Sequence, residues 1–305
     1  MSTLSAFRRE DGRIGVRNLV LNVPVVVCAT LVSAEVAQRT GAVTMTHQHG
    51  CGHIGDDVEH TESTYVAMAT HPNVYESIVF SLGCETLQGP RVERRILESG
   101  GRSQIVGIQT SGGAEAATEA GTLVALEAGK RASEARVPIT ANEITLGFVL
   151  HRRSVRMLAL IERARSAGMK VLLSGSSMPV NEAAAQLGEV TELSYARPAQ
   201  SDVAVWPVDE PGSVAALTLA LSGAHAVVMA PDDNQIPTGV PVCPIITLGS
   251  GNGLHQVLSD DFDLEETMET DTAWTEILQI VNGKPSTLES RAHGDIVIPR
   301  LRRTM

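Results

Sequence analysis

"YESIVFSLGCETLQGPRVERRILESGGRSQIVGIQTSGG", from Tyr75 to Gly113, decides the fold class of this chain. An apolar, β-branched run (ESIVFSL) is followed by a glycine-containing turn, a stretch with helical spacing that ends in two glycines, and a second β-branched run (SQIVGIQT). Strand, turn, helix and strand in this order predict a βαβ unit, whose two strands lie parallel in one sheet.

The same alternation extends along the chain in both directions. Upstream, the runs LVLNVPVVVC and GAVTMT alternate with the helical patterns ATLVSAEVAQRT and DDVEHTESTYVAMATH, and beyond Pro138 strands such as EITLGFVLH and HAVVMAP again alternate with helices. We therefore predict an α/β protein of two lobes, with mostly parallel sheets flanked by helices and a Rossmann-like second lobe. The predicted domains are residues 1–140, which carry His/Cys loops, and residues 141–305, which end in an acidic helix and an extended tail.

Composition excludes several classes of function. The 24 basic residues are outnumbered by 35 acidic ones, and a net charge of -11 argues against nucleic-acid and anionic-membrane partners, which need a basic surface. The N-terminal residues lack the pattern of a secretory signal, and Pro24 interrupts the apolar run that follows, so we expect a cytoplasmic protein. Four cysteines in 305 residues do not form a disulfide framework, and reduced thiols leave metal binding and catalysis open.

Three unusual polar loops each follow a predicted strand. They are MTHQHGCGHIGDD (residues 45–57) after GAVTMT, GCETLQG after SIVFSL, and QTSGG after IVGI. Because ligands of α/β sheets bind at the carboxyl ends of the strands, we expect these loops to share one edge of a sheet.

The first loop admits two interpretations. His47, His49 and Cys51 alternate, so an extended segment would turn all three side chains to the same side, and imidazole with thiolate suits Fe(II) or Zn(II). The spacing H-x-H-x-C matches no closed zinc motif, which leaves an open catalytic site. The alternative, which spacing alone favours, is a polar turn in which Asp56 or Asp57 caps the next helix.

The glycines of the third loop precede a long Ala-rich helix. Their backbone N–H groups could bind a carboxylate or a phosphate at the start of this helix. Neither the G-x-G-x-x-G spacing of dinucleotide folds nor the G-K-[ST] of a P-loop is present, so no nucleotide cofactor is expected.

The ordered motifs DGRIGVRNLVLNVPVVVCA, HQHGCG, HPNVYESIVFSLGCETLQ and IVGIQTSGG resemble the catalytic region of the altronate/galactarate dehydratase family, and the C-terminal tail resembles the end of that family's chains. The resemblance implies a metal-dependent hydro-lyase that eliminates water from a small hydroxy acid, usually a sugar acid, with Fe(II), or alternatively Mn(II), as the metal. It also implies the roles of the site residues: His47, His49 and Glu85 in catalysis; His49, Cys51 and Cys84 at the metal; and Arg13, Arg17, Gln109, Gly112 and Gly113 in substrate binding.

The chain departs from the family pattern in its middle region. Where the family carries a motif like E-C-G-G-S-D, this chain reads EITLGFVLHRRSVRML, and a later lysine-containing segment has no counterpart. We expect the family's small SAF-type domain to be supplied as a separate subunit, and the chain to form a homo-oligomer. Two alternatives stay open: a non-catalytic or regulatory paralogue that binds a small acid or a SAF-type subunit, and an iron–sulfur hydro-lyase that uses Cys51, Cys84 and either Cys243 or Cys28.

Overall fold

The computed structural model describes residues 3–49, 51, 54–292, 294–298 and 301. The chain forms two compact units, each assembled from two separate segments. The small unit consists of Asn18–Ala135 and Asp295–Met305, and the large unit consists of Met1–Arg17 and Arg136–Gly294.

The secondary-structure elements are numbered in chain order across both units. The strands are β1 (Ser5–Arg8), β2 (Ile14–Gly15), β3 (Leu19–Pro24), β4 (Val43–Thr44), β5 (Val74–Ser81), β6 (Ser103–Gly107), β7 (Val137–Pro138), β8 (Thr145–Leu150), β9 (Lys170–Ser174), β10 (Thr191–Glu192), β11 (Val203–Trp206), β12 (Ala226–Ala230), β13 (Ile245–Gly249) and β14 (Leu264–Glu265). The helices are α1 (Thr30–Thr40), α2 (Asp56–Ala69), α3 (Gly89–Glu98), α4 (Ile108–Ser111), α5 (Ala114–Arg131), α6 (Val155–Ser166), α7 (Met178–Leu187), α8 (Gly212–Leu221), α9 (Gly253–Val257), α10 (Thr270–Val281) and α11 (Thr287–Ser290).

The small unit is built on a four-stranded parallel sheet in the order β4-β3-β5-β6. The βαβ stretch from Tyr75 to Gly113 forms β5, α3 and β6, as predicted. Strand β5 is buried from Glu76 to Ser81, because helices cover the sheet. Helix α5 approaches this strand closely: a Cβ atom at Gly121 would lie 2.7 Å from Cε1 of Phe80, so a glycine is needed there.

Two local predictions in the small unit are wrong. Strand β6 ends at Gly107, and the residues that follow form the one-turn helix α4 instead of continuing the strand. Helix α2 has Gly55 at its N-cap, so Asp56 and Asp57 occupy its first turn and do not cap it. Acidic side chains in a first turn still interact favourably with the helix dipole.

The large unit contains a seven-stranded parallel sheet in the order β10-β11-β9-β8-β12-β13-β14. The chain winds from β8 to β9 and β11 on one side, and then crosses to β12 and β13 on the other side of β8. This reversal of direction at a central strand defines a doubly wound, Rossmann-like sheet, so the predicted α/β class and its Rossmann-like lobe are confirmed. A small antiparallel sheet, β2-β1-β7, completes the unit.

Burial in the large unit follows from this architecture. Strands β8, β12 and β13 are buried along their whole length, and α8 is buried from Val214 to Leu221. Parallel strands covered on both faces read as continuous apolar runs, which is why TLGFVL, AVVMA and IITLG lack polar alternation. Within the described part of the chain, no helix has the length and apolar content needed to cross a membrane.

Candidate active site

Three polar loops of the small unit lie at one edge of its parallel sheet. Residues 45–55 follow β4, residues 82–88 follow β5, and α4 with its two glycines follows β6. The first of these is called the His loop; its residues Gly50, Gly52 and His53 lie outside the described residues. Contacts join the His loop to the second loop, since Oγ1 of Thr86 donates to the carbonyl of Cys51 over 2.7 Å.

Side chains alternate along the His loop. Thr46 and Gln48 bind the C-terminal segment of residues 295–298: the Thr46 N–H and hydroxyl donate to the Asp295 carboxylate, and Nε2 of Gln48 donates to the Ile296 carbonyl over 2.7 Å. His47 and His49 are buried instead, with 3% and 8% of their surfaces exposed. The two histidines therefore lie on the same side of an extended segment, as the alternation predicts.

The two imidazoles meet each other and a buried tyrosine. The ring centroids of His47 and His49 lie 5.9 Å apart in an edge-to-face arrangement. Nδ1 of His47 forms a short hydrogen bond with the hydroxyl of Tyr65, which is fully buried on α2. Burial, with a contribution from the charge of Asp295, raises the pKa of the Tyr65 phenol, which therefore stays protonated and can donate to Nδ1.

Tyr65 and Asp295 are parts of this site that sequence reasoning missed. Tyr65 lies in a helix with an ordinary amphipathic pattern, where an aromatic residue reads as core. Asp295 is distant in sequence from the His loop, and only the path of the chain back into the small unit brings it to Thr46.

Glu85 is part of the second loop and is buried, with 2% of its surface exposed. Its Oε2 atom accepts the N–H groups of Leu82 and Gly83 over 3.1 and 2.6 Å. Among the described residues, Oε1 accepts only the long bond of 3.4 Å from the Gly89 N–H. The carboxylate thus holds the loop in shape and anchors the start of α3.

The third loop places an amide and a helix N-terminus at the same edge. Gln109 packs against Gly83, and its backbone N–H donates to the Leu82 carbonyl over 3.1 Å, which joins the second and third loops. The N–H groups of Gly112 and Gly113 bond back to Gln109 and Ile108, so they do not point to a ligand. Helix α5 follows these glycines, and its N-terminus has no side-chain cap. Backbone N–H groups in the first turn of a helix are the groups that can bind an anion.

The two predicted arginines belong to the large unit. Arg13 forms an exposed ion pair of 2.6 Å with Asp11. Arg17 binds both carboxylate oxygens of Glu289 over 2.8 Å and donates to the carbonyls of Val16, Ile280 and Lys284. All five N–H groups of Arg17 are therefore engaged, and a substrate carboxylate could bind it only by displacing them.

The predicted metal ligands His49, Cys51 and Cys84 differ in their surroundings. His49 is buried, whereas both cysteines are exposed, and Sγ of Cys51 lies 4.0 Å from the Cys84 carbonyl oxygen. Across residues 3–49, 51, 54–292, 294–298 and 301, no three His, Cys, Asp or Glu side chains form a group that could hold a metal ion. The donor types suit iron, but the described geometry does not assemble a metal site, and metal dependence stays a prediction.

Polar groups of the small unit converge at the carboxyl edge of its parallel sheet, which is the position at which α/β proteins bind small molecules. Residues 6–133 match the family model described as "D-galactarate dehydratase/Altronate hydrolase, second domain". Residues 6–133 are thus similar to the altronate/galactarate dehydratase family, and the resemblance predicted from the motifs is confirmed for this segment.

Two curated relatives match over part of the chain. An altronate dehydratase of Bacillus subtilis (strain 168) is 34% identical over 105 residues, which cover 31% of this chain and 21% of that protein. An altronate dehydratase of Escherichia coli (strain K12) is 31% identical over 93 residues, covering 27% of this chain and 19% of that protein. The match thus spans about a fifth of the length of each relative.

Proposed function

We propose that the small unit carries the proton-transfer groups of a hydro-lyase that eliminates water, or a similar leaving group, from a small hydroxylated carboxylic acid such as a sugar acid. One observation carries this proposal: His47 and His49 lie side by side on the His loop, which bonds to the loop of Cys84 and Glu85. Both loops fall in the segment that matches the dehydratase family.

The reaction needs one base and one acid. The base removes the proton from the carbon next to the carboxylate, the C–O bond at the following carbon breaks, and the hydroxyl leaves as water after it accepts a proton. The resulting enol rearranges to a 2-oxo-3-deoxy acid, so atoms and charges balance. General acid–base groups of this kind contribute about 10²- to 10⁴-fold each.

We assign the acid to His47 and the base to His49. A protonated Tyr65 that donates to Nδ1 of His47 favours the tautomer with its proton on Nε2, so this ring presents an N–H donor to the leaving hydroxyl. A spacing of 5.9 Å between the ring centroids suits groups that act on neighbouring carbons of one substrate. Glu85 belongs to the proposed site through Oε1, which accepts one long hydrogen bond from the described part of the chain.

We assign substrate carboxylate binding to the third loop. The uncapped N-terminus of α5 attracts an anion, and Gln109 can donate to a hydroxyl or carboxylate oxygen beside it. Gly112 and Gly113 contribute to substrate binding because they have no side chains that would cover the start of α5. Arg13 and Arg17 stay predicted substrate ligands, with Arg17 requiring a rearrangement of its present partners.

Fe(II), or Mn(II), at His49, Cys51 and Cys84 would polarise the substrate carboxylate and hydroxyl. The described residues do not complete such a site, and the assignments above use only the protein's own groups. We further propose a cytoplasmic homo-oligomer with a SAF-type partner subunit.

The proposal is tested by measuring 2-oxo acid formation from altronate, galactarate and related acids, using the full chain purified without oxygen, with and without added Fe(II) or Mn(II). We expect turnover that falls at least about 100-fold in His47→Asn. His71→Asn is the matched control, because His71 is an equally buried histidine of the small unit at the end of α2. Absence of turnover with every acid and both metals, or equal losses in the two variants, would contradict the proposal.

The second candidate function is that of a paralogue that binds a small acid without converting it. The complete engagement of Arg17 and the structural use of the Glu85 carboxylate favour it. Saturable binding of altronate that His47→Asn weakens, without product formation in any condition, would support this candidate over the enzyme. Metal analysis of the same preparation separates a loaded enzyme, with about one iron or manganese per chain, from a metal-free binder.

A further inference from the structure

The large unit contains a cavity of about 390 Å³ that the family match does not cover. It lies at the carboxyl ends of β8, β9, β11 and β12, and its lining residues all belong to the large unit. Cavities of this size accommodate small metabolites.

The position of the cavity is the one at which doubly wound sheets bind ligands. Strand β8 pairs with β9 on one side and with β12 on the other, and the direction of winding reverses there. Loops that follow β8, β9, β11 and β12 all contribute to the lining. Such a switch point opens a crevice at the strand ends without requiring a special loop sequence.

Two hydroxyl groups of the lining indicate a polar ligand. Ser174, at the end of β9, is 1% exposed, and its Oγ atom has no hydrogen-bond partner within the described chain. Oγ of Ser177, in the loop that follows, is also buried and has no partner among the described residues. A buried hydroxyl without a partner is destabilising, so it is expected to meet a ligand or water.

Carboxylates form another part of the lining, contributed by Asp209, Glu210 and Asp232. The Glu210 Oε2 atom accepts bonds from Nε1 of Trp206 and Oγ1 of Thr218 over 3.1 and 3.2 Å. Oε1 accepts none from the described residues. This atom is therefore available to a donor on a ligand.

The lining disfavours an anionic ligand. None of the described residues that line the cavity is Lys or Arg, so a carboxylate or phosphate would face three carboxylates without a fixed counter-charge. The start of α7 would otherwise attract an anion, but Asp209 already accepts the N–H and the hydroxyl of Ser176 before that helix, over 2.7 and 2.6 Å. The loop after β8, which begins with His151, also lacks the glycines that hold a dinucleotide phosphate.

We infer that this cavity binds an uncharged polyhydroxy group, whose hydroxyls donate to the carboxylates of Glu210 and Asp232 and accept from the hydroxyls of Ser174 and Ser177. Vicinal hydroxyls supply both donors and acceptors within a few ångströms, which matches this mixed lining. The group could belong to a free sugar or alditol, or to the ribose of a nucleoside. The inference concerns the large unit and does not depend on the function proposed for the small unit.

Calorimetric titration of the full chain with galactitol and with adenosine tests the inference and separates the two sources. We expect saturable binding of at least one of them, with galactonate binding through this cavity at least about tenfold more weakly than galactitol because it adds a carboxylate. Ser174→Ala removes one hydrogen bond and should raise Kd about three- to tenfold, and Glu210→Gln should raise it further.

Ser222→Ala is the matched control, because Ser222 is an equally buried serine of the large unit whose hydroxyl donates to the Thr218 carbonyl. This variant should bind like the wild type, and unfolding midpoints verify that all variants fold. The inference is overturned if neither galactitol nor adenosine binds at concentrations up to about 10 mM, or if Ser174→Ala and Ser222→Ala change Kd equally. Ser174-dependent binding of galactonate that is tighter than that of galactitol would overturn it as well. A His49→Asn variant should bind galactitol normally, so failure of the hydro-lyase proposal leaves this result unaffected.

Discussion

A hydrogen bond to a buried tyrosine orients His47 of the His loop. His47 bonds through Nδ1 to the buried Tyr65, and the phenol, whose pKa burial raises, remains a donor across the working pH range. A buried donor of this kind fixes which ring nitrogen carries the proton. Tyr65 is thus a positioning residue for His47.

Tyr65→Phe removes this donor with little change in volume. We expect the fraction of His47 with its proton on Nε2 to fall, and the pH profile of kcat to shift, because Nδ1 loses the donor that favours this tautomer. Nitrogen-15 chemical shifts of the imidazole measure the tautomer directly, and the kcat profile measures its consequence. Unchanged shifts and an unchanged profile would show that Tyr65 is only part of the core.

The turn after β5 shows how one glycine joins two elements. Gly83 has a φ of +123°, and a Cβ atom there would lie 2.9 Å from Cδ of Gln109. A residue with a side chain would adopt this φ only with backbone strain, and its Cβ atom would displace the side chain of Gln109.

Gly83→Ala is therefore expected to destabilise the small unit by about 1–3 kcal/mol and to weaken binding of the substrate acid. The control is Gly129→Ala in the exposed face of α5, where a Cβ atom meets nothing within 4 Å. That change should be neutral, or stabilise by about 1 kcal/mol. Urea unfolding midpoints report both values, and equal midpoints for the two variants would contradict the role of Gly83.

A buried histidine links strands within the large unit. Nδ1 of His225 accepts the Thr145 N–H over 2.9 Å, and Nε2 donates to the Ile14 carbonyl over 2.9 Å. Burial lowers the pKa of His225 from 6.5 to about 4, so the ring is neutral in the folded state. The unfolded chain binds a proton at a higher pH than the folded chain does.

This difference predicts the sign of a pH effect. The contribution of neutral His225 is fully present above about pH 6.5 and is lost as the pH falls toward 4, by on the order of 3 kcal/mol. His225→Gln keeps an acceptor and a donor but does not titrate, so its unfolding midpoint should fall less than that of the wild type between pH 7 and about pH 5. Parallel curves for the two proteins would refute this assignment.

At the scale of the molecule, the C-terminal segment supports the His loop. The Asp295 carboxylate accepts the N–H and hydroxyl of Thr46, and the Ile298 N–H donates to Oε1 of Gln48 over 3.4 Å. These bonds hold the side of the loop opposite to the two histidines. The segment therefore belongs to the small unit, although the residues that precede it, Arg136–Gly294, belong to the large unit.

Asp295→Ala should loosen the loop without unfolding the chain. We expect amide exchange of residues 46–49 to accelerate at least about tenfold, because the Thr46 N–H loses its acceptor. Asp260→Ala removes the same charge from an exposed position of the large unit and should leave these amides unchanged. Similar exchange rates in both variants would mean that the tail does not hold the loop.

Local patterning was sufficient for the fold class, because β-branched runs, helical spacing and glycine turns indicate parallel βαβ units wherever they occur. The family was indicated by the resemblance of the ordered motifs, not by periodicity. The alternation of His47 and His49 follows from the period of an extended chain. Only tertiary structure decided that Tyr65 lies against His47 and that Asp295 binds Thr46. In the large unit, it likewise decided that the Ser174 hydroxyl is buried without a hydrogen-bond partner among the described residues. The same holds for Arg17, whose fork fits a carboxylate but already binds Glu289. Local periodicity is determined by neighbours along the chain, whereas the partner of a polar side chain is determined by which distant segments pack against it.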